Sequence, residues 1–151
     1  KGSISLNLNL ATLLSNDFLN FDASINPSNR VSIVIEIDIA DIFSDMPSYI
    51  IAKSAIQALG YRICIDNLDS YNILHINRKE LGCTLGKIRW TGNTSSTTEL
   101  IKAVQQWGPN RLILCRCDSK DAVKFGRGLG ISLFQGRYLD RFFDPYSETE
   151  N

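Results

Sequence analysis

The chain repeats one arrangement, in which an apolar run, a helix signal and a second apolar run follow one another. The clearest example lies near the carboxyl end, where a capping pattern at Asp118 begins a helix and Gly130 ends it. The next apolar run, 131–134, ends abruptly in Gln135 and Gly136. This order predicts a helix that precedes a buried strand, with a polar side chain at the carboxyl end of that strand.

Further apolar runs predict strands at 4–10, 31–39, 61–66, 83–90 and 111–117. The run 31–39 is almost uniformly apolar apart from Glu36 and Asp38, which is typical of a parallel sheet covered on both faces. The sequence therefore predicts an α/β fold, a partial TIM-like (β/α) barrel of about six mostly parallel strands with helices outside. A closed barrel needs eight strands and about 250 residues, whereas this chain has 151. Such folds place their chemistry at the carboxyl ends of the strands.

Helix signals separate the predicted strands. Ser44 or Asp45 begins one helix, a second helical stretch is predicted over 71–81, and a capping box at 96–99 begins a third. The buried stripe of the first of these helices is predicted to be Ile51, Ala55 and Leu59.

The overall charge and hydropathy exclude several classes of partner. Sixteen basic residues balance sixteen acidic ones, so no overall field favours a nucleic-acid polymer or an anionic membrane. No apolar run approaches about 18 residues, so we expect no membrane span. The chain has no initiator methionine and no basic-then-apolar leader, and we therefore expect it to be a piece of a longer protein.

The cysteines indicate packed, reduced thiols and a cytoplasmic location, because they lie mostly inside apolar runs. The four are Cys64, Cys83, Cys115 and Cys117. Cys115 and Cys117 are predicted to share one strand face, but even with Cys83 and the single histidine, His75, their spacing matches no zinc signature. No zinc site is expected here.

The polar residues at successive predicted strand ends are Asn7, Glu36, Asp66, Lys87 and Gln135. Their order resembles that of the EAL domains, which are bacterial cyclic-di-GMP phosphodiesterase barrels. ISLNLNLATLLSNDF is similar to the family's asparagine strand, and VIEIDIAD is similar to its metal-binding glutamate strand. ALGYRICIDNLDS resembles the segment that ends in DDFG, and LGKIRW resembles the strand with Lys-x-Asp. LILCRCDSKDAVKFGRGLGISLFQGRYLD is similar to the closing stretch with EGVE, a helix and Gln-Gly. The resemblance implies a degenerate EAL-like domain over 1–144, the C-terminal part of the barrel, and a polar tail over 145–151.

The resemblance also implies roles for individual strand-end residues. It places vestigial metal ligands at Asn7, Glu36 and Asp66. Vestigial catalytic positions fall on Lys87 and Asp118. Ligand-contacting positions fall on Arg89, Gln135 and Gly136.

Departures from the family pattern weaken the implied site. The second aspartate of DDFG is Asn67 and its glycine is Asp69. Lys-x-Asp becomes Lys-x-Arg with Arg89, the first glutamate of EGVE falls on Cys115, and the threonine after the glutamate strand becomes Asp38. The strand with the Glu-Ala-Leu signature has no counterpart in the sequence. Two-metal phosphodiester hydrolysis needs several converging carboxylates, so we predict no competent metal centre and no cofactor, with Mg²⁺ or Mn²⁺ relevant only to residual activity.

A purely structural interpretation remains open for the charged residues. Glu36 and Asp66 are interpreted either as residual ligand or cation contacts, or as strand-end carboxylates paired with Lys87 and Arg89. Gln135 and the glycine after it are interpreted as a retained turn, with the amide as a second candidate for ligand contact.

The leading functional hypothesis is a non-catalytic regulatory or adaptor domain in bacterial cyclic-di-GMP signalling, acting through protein contacts. One alternative is a receptor that binds cyclic-di-GMP without hydrolysis. The other is a weakly active, metal-dependent phosphodiesterase. Because an incomplete barrel exposes a sheet edge, we also expect a protein partner or self-association along the first strand.

Overall fold

The computed structural model describes residues 2–93 and 95–140, and the predicted polar tail over 145–151 lies outside them. The strands of these residues are β1 Ile4–Asn7, β2 Ile33–Asp38, β3 Arg62–Leu68, β4 Leu85–Arg89, β5 Leu112–Cys115 and β6 Leu133–Gln135. The α-helices are α1 Leu10–Leu13, α2 Asn16–Ser24, α3 Ile39–Ser44, α4 Met46–Ala58, α5 Arg78–Leu81, α6 Thr98–Trp107, α7 Lys120–Gly128 and α8 Arg137–Asp140. Short 3-10 turns lie at Pro27–Ser32, Asn72–His75 and Pro109–Arg111.

The chain divides into two compact units. The first contains Lys1–Asn67 and Arg78–Leu85, and the second contains Leu68–Asn77 and Gly86–Asn151. Each unit is a parallel β/α arrangement in which strands alternate with helices.

In the first unit, β1 pairs with β2 and β2 pairs with β3, all parallel. The register places Asn7 beside Glu36 and Asp38 beside Asp66. Residues Ile33 to Ile37 of β2 are buried without interruption, as expected for a strand covered on both faces. The carboxyl ends of these strands therefore bring four polar side chains to one edge.

In the second unit, β4 pairs with β5 and β5 pairs with β6, again parallel. The register aligns Arg89 with Cys115 and Cys115 with Gln135. These three residues form one row across three adjacent strands. Partners in register on parallel strands point to the same face, so the three side chains share a face.

Helices α6 and α7 cover the other face of β4, β5 and β6, and two glycines permit the close approach. A Cβ on Gly86 would lie 2.6 Å from the Trp107 ring, and a Cβ on Gly126 would lie 2.5 Å from the Phe134 ring. Leu114 is also within 3.0 Å of the Gly126 position. The buried residues of β4 and β5 therefore face the helices, and the alternate residues form the opposite, more accessible face.

The predicted stripe of α4 is wrong. Asp45 caps this helix through Ser48, as expected, but Ile51 and Ala55 are exposed and Leu59 is half-buried. The side chains that pack inward are Tyr49, Ala52 and Ile56. α4 carries apolar residues on both sides, so periodicity alone did not identify the buried side.

Two further expectations are corrected. The predicted helix over 71–81 is a 3-10 turn followed by the short helix α5, because the chain turns through Asp69, whose carboxylate accepts from the backbone N–H groups of Tyr71 and Asn72. Cys115 and Cys117 do not share a strand face, since β5 ends at Cys115 and Arg116 has a φ of 57°. Cys117 is buried behind that turn.

Several general expectations are confirmed. The α/β class, the six strands and their parallel pairing agree with the predicted partial (β/α) barrel. The four cysteines are free thiols, and three of them are buried. Within the described ranges, every helix is too short or too polar to traverse a bilayer.

Candidate functional site

The carboxyl ends of β1, β2 and β3 surround an open cleft of about 340 Å³ in the first unit. Its lining residues are Asn7, Leu8, Asn9, Glu36, Asp38, Asp41 and Asp66. The structure thus brings together all three residues that the resemblance implied as vestigial metal ligands, Asn7, Glu36 and Asp66. Asn9 and Asp41 were missed by the sequence reasoning.

Both missed residues are helix-start residues. Asn9 caps α1, because its Oδ1 accepts from the Thr12 backbone N–H at 2.8 Å. Asp41 lies in the first turn of α3, and its Oδ2 accepts from the Leu10 backbone N–H at 2.7 Å. The signals that could have placed them there were a capping residue type at Asn9 and an acidic residue in a first helical turn at Asp41.

The carboxylates of the cleft differ in exposure. Glu36 is buried, with 3% of its surface exposed, although it lies beside the exposed Asn7. Asp38 and Asp66 are half-buried. They are in register with each other, and Asp38 lies two residues after Glu36, nearer the carboxyl end of β2.

Several of these carboxylate oxygens already accept hydrogen bonds from groups of the fold. Asp38 Oδ1 accepts from the Ala40 backbone N–H at 2.8 Å and thereby caps α3. Asp38 Oδ2 accepts from the side-chain amide of Asn67. Asp66 Oδ1 accepts from the Asn67 backbone N–H at 2.8 Å. The cleft is therefore organised around internal hydrogen bonds.

A divalent cation such as Mg²⁺ or Mn²⁺ would need several of these oxygens to converge on one point. Hard carboxylate and amide oxygens line the cleft, so the donor type is suitable. However, nowhere in residues 2–93 and 95–140 do three or more His, Cys, Asp or Glu side chains form a group able to hold a metal ion. Of the three implied ligands only Glu36 and Asp66 are carboxylates, so the residues present do not fit a two-metal centre.

The strand ends of the second unit carry the remaining predicted site residues. Lys87 and Arg89 share the accessible face of β4, with Lys87 half-buried and Arg89 exposed. Gln135 is exposed at the end of β6, and its Oε1 lies 3.7 Å from the Sγ of Cys115. The structure thus brings Arg89 and Gln135 to one face, on either side of Cys115.

Asp118 is not part of that row. It is exposed after β5, where its Oδ1 accepts from the Arg137 backbone N–H at 3.2 Å. The same oxygen lies 3.9 Å from Arg137 Nε, in an ion pair exposed to solvent. An exposed pair of this kind contributes little stability, so Asp118 mainly positions the start of α8.

Gly136 is required by close packing of the backbone. A Cβ at this position would lie 2.3 Å from Cys117 N and 2.6 Å from Cys117 O. The Cys117 backbone N–H donates to Gln135 O at 3.0 Å, and the Tyr138 backbone N–H donates to Cys117 O at 3.1 Å. These hydrogen bonds connect the Gln-Gly turn at the end of β6 to the segment after β5.

Comparison with protein families and with curated proteins gave no match. Solved structures do match. The Vibrio cholerae LapD fragment with S helix, GGDEF and EAL regions, bound to c-di-GMP, aligns with a TM-score of 0.75 and 15% identity over 93% of this chain. Bacillus subtilis YkuI, a protein with an EAL domain, aligns with a TM-score of 0.74 and 18% identity over 91% of this chain. The EAL domain of Mycobacterium smegmatis DcpA aligns with a TM-score of 0.69 and 19% identity over 91%.

These alignments cover only part of the matched proteins. The chain spans 37% of the LapD fragment, 36% of YkuI and 66% of the DcpA domain. At these identities the comparison shows the fold: over most of its length the chain has the architecture found in EAL domains, as the sequence predicted.

Proposed function

We propose that this chain, which has the fold of an EAL domain, is a non-catalytic regulatory or adaptor domain in bacterial cyclic-di-GMP signalling and acts through protein contacts. The LapD fragment is bound to c-di-GMP, and YkuI is in complex with substrate c-di-GMP and calcium. The proposal places this chain in the same kind of signalling, in the bacterial cytoplasm. It does not assign hydrolysis of cyclic-di-GMP to the chain.

One observation carries the non-catalytic part of the proposal: the carboxylates at the ends of β2 and β3 bind internal donors. Asn67 replaces the second aspartate of DDFG; its side-chain amide donates to Asp38, and its backbone N–H donates to Asp66. An amide in place of a carboxylate removes one anionic ligand, and the backbone hydrogen bond engages one oxygen of Asp66. Catalysis by two divalent cations requires several carboxylates that bind the ions themselves.

The charge at the end of β4 supports the same conclusion. Arg89 stands where the resemblance implies an aspartate, and it shares a face with Lys87. A guanidinium at this position repels a divalent cation rather than binding it.

The protein-contact part of the proposal is supported by the exposure of β1. In the part of the chain that the structure describes, β1 pairs with β2 alone, and Ile4 is 61% exposed. An exposed strand edge with an apolar side chain is a ready site for strand pairing with a partner or a second copy.

A receptor for cyclic-di-GMP is the second candidate function. It is favoured by the openness of the cleft beside Asn7, Glu36 and Asp66, which leaves room at the strand ends. A weakly active phosphodiesterase would use the same cleft but would lack the carboxylate that Asn67 replaces.

Turnover of cyclic-di-GMP tests the non-catalytic proposal directly. The chain is incubated with the dinucleotide and Mg²⁺ or Mn²⁺, and the linear product is measured by chromatography. We expect no turnover. Metal-dependent turnover that disappears in Glu36→Ala would overturn the proposal and establish the weakly active enzyme.

Calorimetric titration with cyclic-di-GMP, with Ca²⁺ and then with EDTA, separates adaptor from receptor. Micromolar or tighter binding would establish the receptor, whereas no heat is the result expected for an adaptor.

Light scattering tests whether the exposed edge of β1 is the contact surface. Ile4→Lys should reduce self-association, and Leu19→Lys, at a side chain that is 60% exposed on α2, is the matched control. A monomer at high concentration would contradict self-association.

A further inference from the structure

The side of α4 that faces away from the sheet carries no charged residue. Tyr49, Ala52 and Ile56 pack inward on the opposite side. The outward side, which we call the outer face of α4, follows the spacing of three or four residues that places side chains on one side of a helix. All of its residues are exposed, and they are Pro47, Ile50, Ile51, Ser54, Ala55 and Ala58. Ile50 is 51% exposed and Ile51 is 62% exposed, whereas the outer side of a surface helix is ordinarily polar.

The polar side chains of α4 leave this outer face uncovered. Lys53, the only charged residue of the helix, directs its Nζ to Gly82, where an added Cβ would lie 3.0 Å from it. Gln57 Nε2 donates to Gly82 O at 2.6 Å. Ser54 belongs to the outer face, and its hydroxyl donates to Ile50 O at 3.0 Å within the helix. The outer face can therefore be buried without desolvating a charge or leaving the Ser54 hydroxyl without an acceptor.

The outer face has larger side chains in its first half, 47–51, and small ones in its second half, 54–58. In an antiparallel pair of identical helices, a two-fold axis midway along the face sets each larger side chain opposite a small one. A parallel pair would set large against large and small against small. The opposed pairs of the antiparallel arrangement are Pro47 with Ala58, Ile50 with Ala55 and Ile51 with Ser54.

We propose that two copies of this chain associate through the outer face of α4, as an antiparallel helix pair with two-fold symmetry. A second copy fits this face because it supplies the same uncharged surface with the order of side-chain sizes reversed. One helix face is small beside the roughly 800 Å² per partner of a standard interface, so the dimer is weak and dissociates at low micromolar concentration. The surface is separate from the edge of β1 and needs no cyclic-di-GMP, and the inference therefore goes beyond the proposed function.

Sedimentation velocity from micromolar to millimolar concentration tests the dimer. We expect a monomer that converts to a dimer as the concentration rises. Ile51→Lys should raise the dissociation constant by about tenfold or more, because each copy then brings a charge into an apolar contact. Ile101→Lys is the matched control: Ile101 lies on α6 and is 42% exposed, and the same substitution there should leave the dissociation constant unchanged. A mixture of the Ile51→Lys and Ile51→Glu chains should recover the dimer, since opposite charges then meet near the two-fold axis.

Ala55→Phe separates this packing from non-specific adhesion. The larger ring adds apolar surface but does not fit opposite Ile50 of the second copy, so the dimer should weaken. Both mutated side chains are exposed, and circular dichroism verifies that each variant is folded.

A monomer at every concentration, equal effects of Ile51→Lys and Ile101→Lys, or stronger association of Ala55→Phe would overturn the inference. Association that Ile4→Lys abolishes and Ile51→Lys leaves unchanged would also overturn it, while the proposed contact surface at β1 would stand. Association that only Ile51→Lys abolishes would place the dimer on α4 and remove β1 from self-association.

Discussion

The side-chain amide of Asn67 donates a hydrogen bond to Asp38 Oδ2, across 29 positions of sequence. Both residues depart from the EAL pattern, and the departures are complementary, because a carboxylate acceptor at the end of β2 faces an amide donor at the end of β3. Asn67 has a φ of 60°, a conformation that asparagine tolerates better than most residues. The pair therefore joins the carboxyl ends of β2 and β3 through a side-chain hydrogen bond.

Asn67→Asp is predicted to destabilise the fold by about 1 kcal/mol at pH 7. The substitution removes the amide donor and places a second carboxylate against Asp38, and aspartate tolerates the same backbone conformation as asparagine. Urea unfolding monitored by circular dichroism measures the change.

The control is the exchanged pair, Asp38→Asn with Asn67→Asp. It restores one donor and one acceptor, and asparagine is also a good helix cap for α3. The exchanged pair should recover most of the lost stability. If it is as unstable as Asn67→Asp alone, the hydrogen bond does not join the strands as described.

Gly136→Ala is predicted to destabilise the fold by about 2 kcal/mol or more, because a Cβ there would lie 2.3 Å from the Cys117 backbone nitrogen. The backbone must move, and the hydrogen bond from Cys117 N to Gln135 O weakens. Gly128→Ala is the control: Gly128 lies in α7 with open space around its Cα, so alanine should be neutral or stabilising. Equal thermal midpoints for both variants would contradict the close approach.

A buried tyrosine should make the fold sensitive to high pH. Tyr61 donates to Asp22 Oδ1 at 2.6 Å, and Arg30 donates to the other oxygen of that carboxylate at 2.8 Å. Burial, and next the hydrogen bond to Asp22, raise the pKa of Tyr61 from 10.0 to about 12. The folded state keeps the proton longer than the unfolded state, so this contribution is complete below pH 10 and is lost as the pH rises towards 12.

Tyr61→Phe should therefore be less stable than the wild type at pH 8, and the difference should shrink between pH 10 and 12. Burial also raises the pKa of Tyr49, but that residue is present in both proteins and affects them alike. Unfolding free energies at several pH values measure the difference. A constant difference across this range would contradict the raised pKa of Tyr61.

Thiol chemistry should distinguish the four cysteines. Cys115 is half-exposed, whereas the other three are buried. Burial raises the pKa of Cys83 to about 11 and also raises the pKa of Cys117. Since the thiolate is the reactive form, one thiol should react rapidly with a disulfide reagent at pH 8, and Cys115→Ser should abolish that phase. A rapid phase that persists in Cys115→Ser would contradict the burial of the others.

The polar strand-end residues were predictable because each interrupts an apolar run. Glu36, Asp66 and Arg89 lie where the alternation of strands and helices placed them. The hydrogen bonds of the cleft were not predictable, because the bond between Asn67 and Asp38 depends on the lateral register of two strands. Periodicity within one strand contains no information on that register.

The orientation of α4 shows the same limit for helices. Its sequence has an apolar stripe on either side. The spacing of Ile51, Ala55 and Leu59 predicts one buried stripe, whereas the structure buries the stripe that contains Ile56. Periodicity defines a stripe but not the direction in which it points when the opposite side is also apolar. Only contacts with the rest of the unit decide between them.

Identical substitutions on the two sides of α4 test this orientation. Ile56 is fully buried and Ile51 is 62% exposed. Ile56→Ala should cost about 2–5 kcal/mol, because it removes buried methyl groups and leaves a cavity. Ile51→Ala should change stability by no more than about 0.5 kcal/mol, since the side chain is mostly in water. Both changes have the same small effect on helix propensity, so the difference between their unfolding free energies in urea isolates burial. Equal losses would mean that the stripe with Ile51 also packs against protein, and the exposed side of α4 would then be part of an interface.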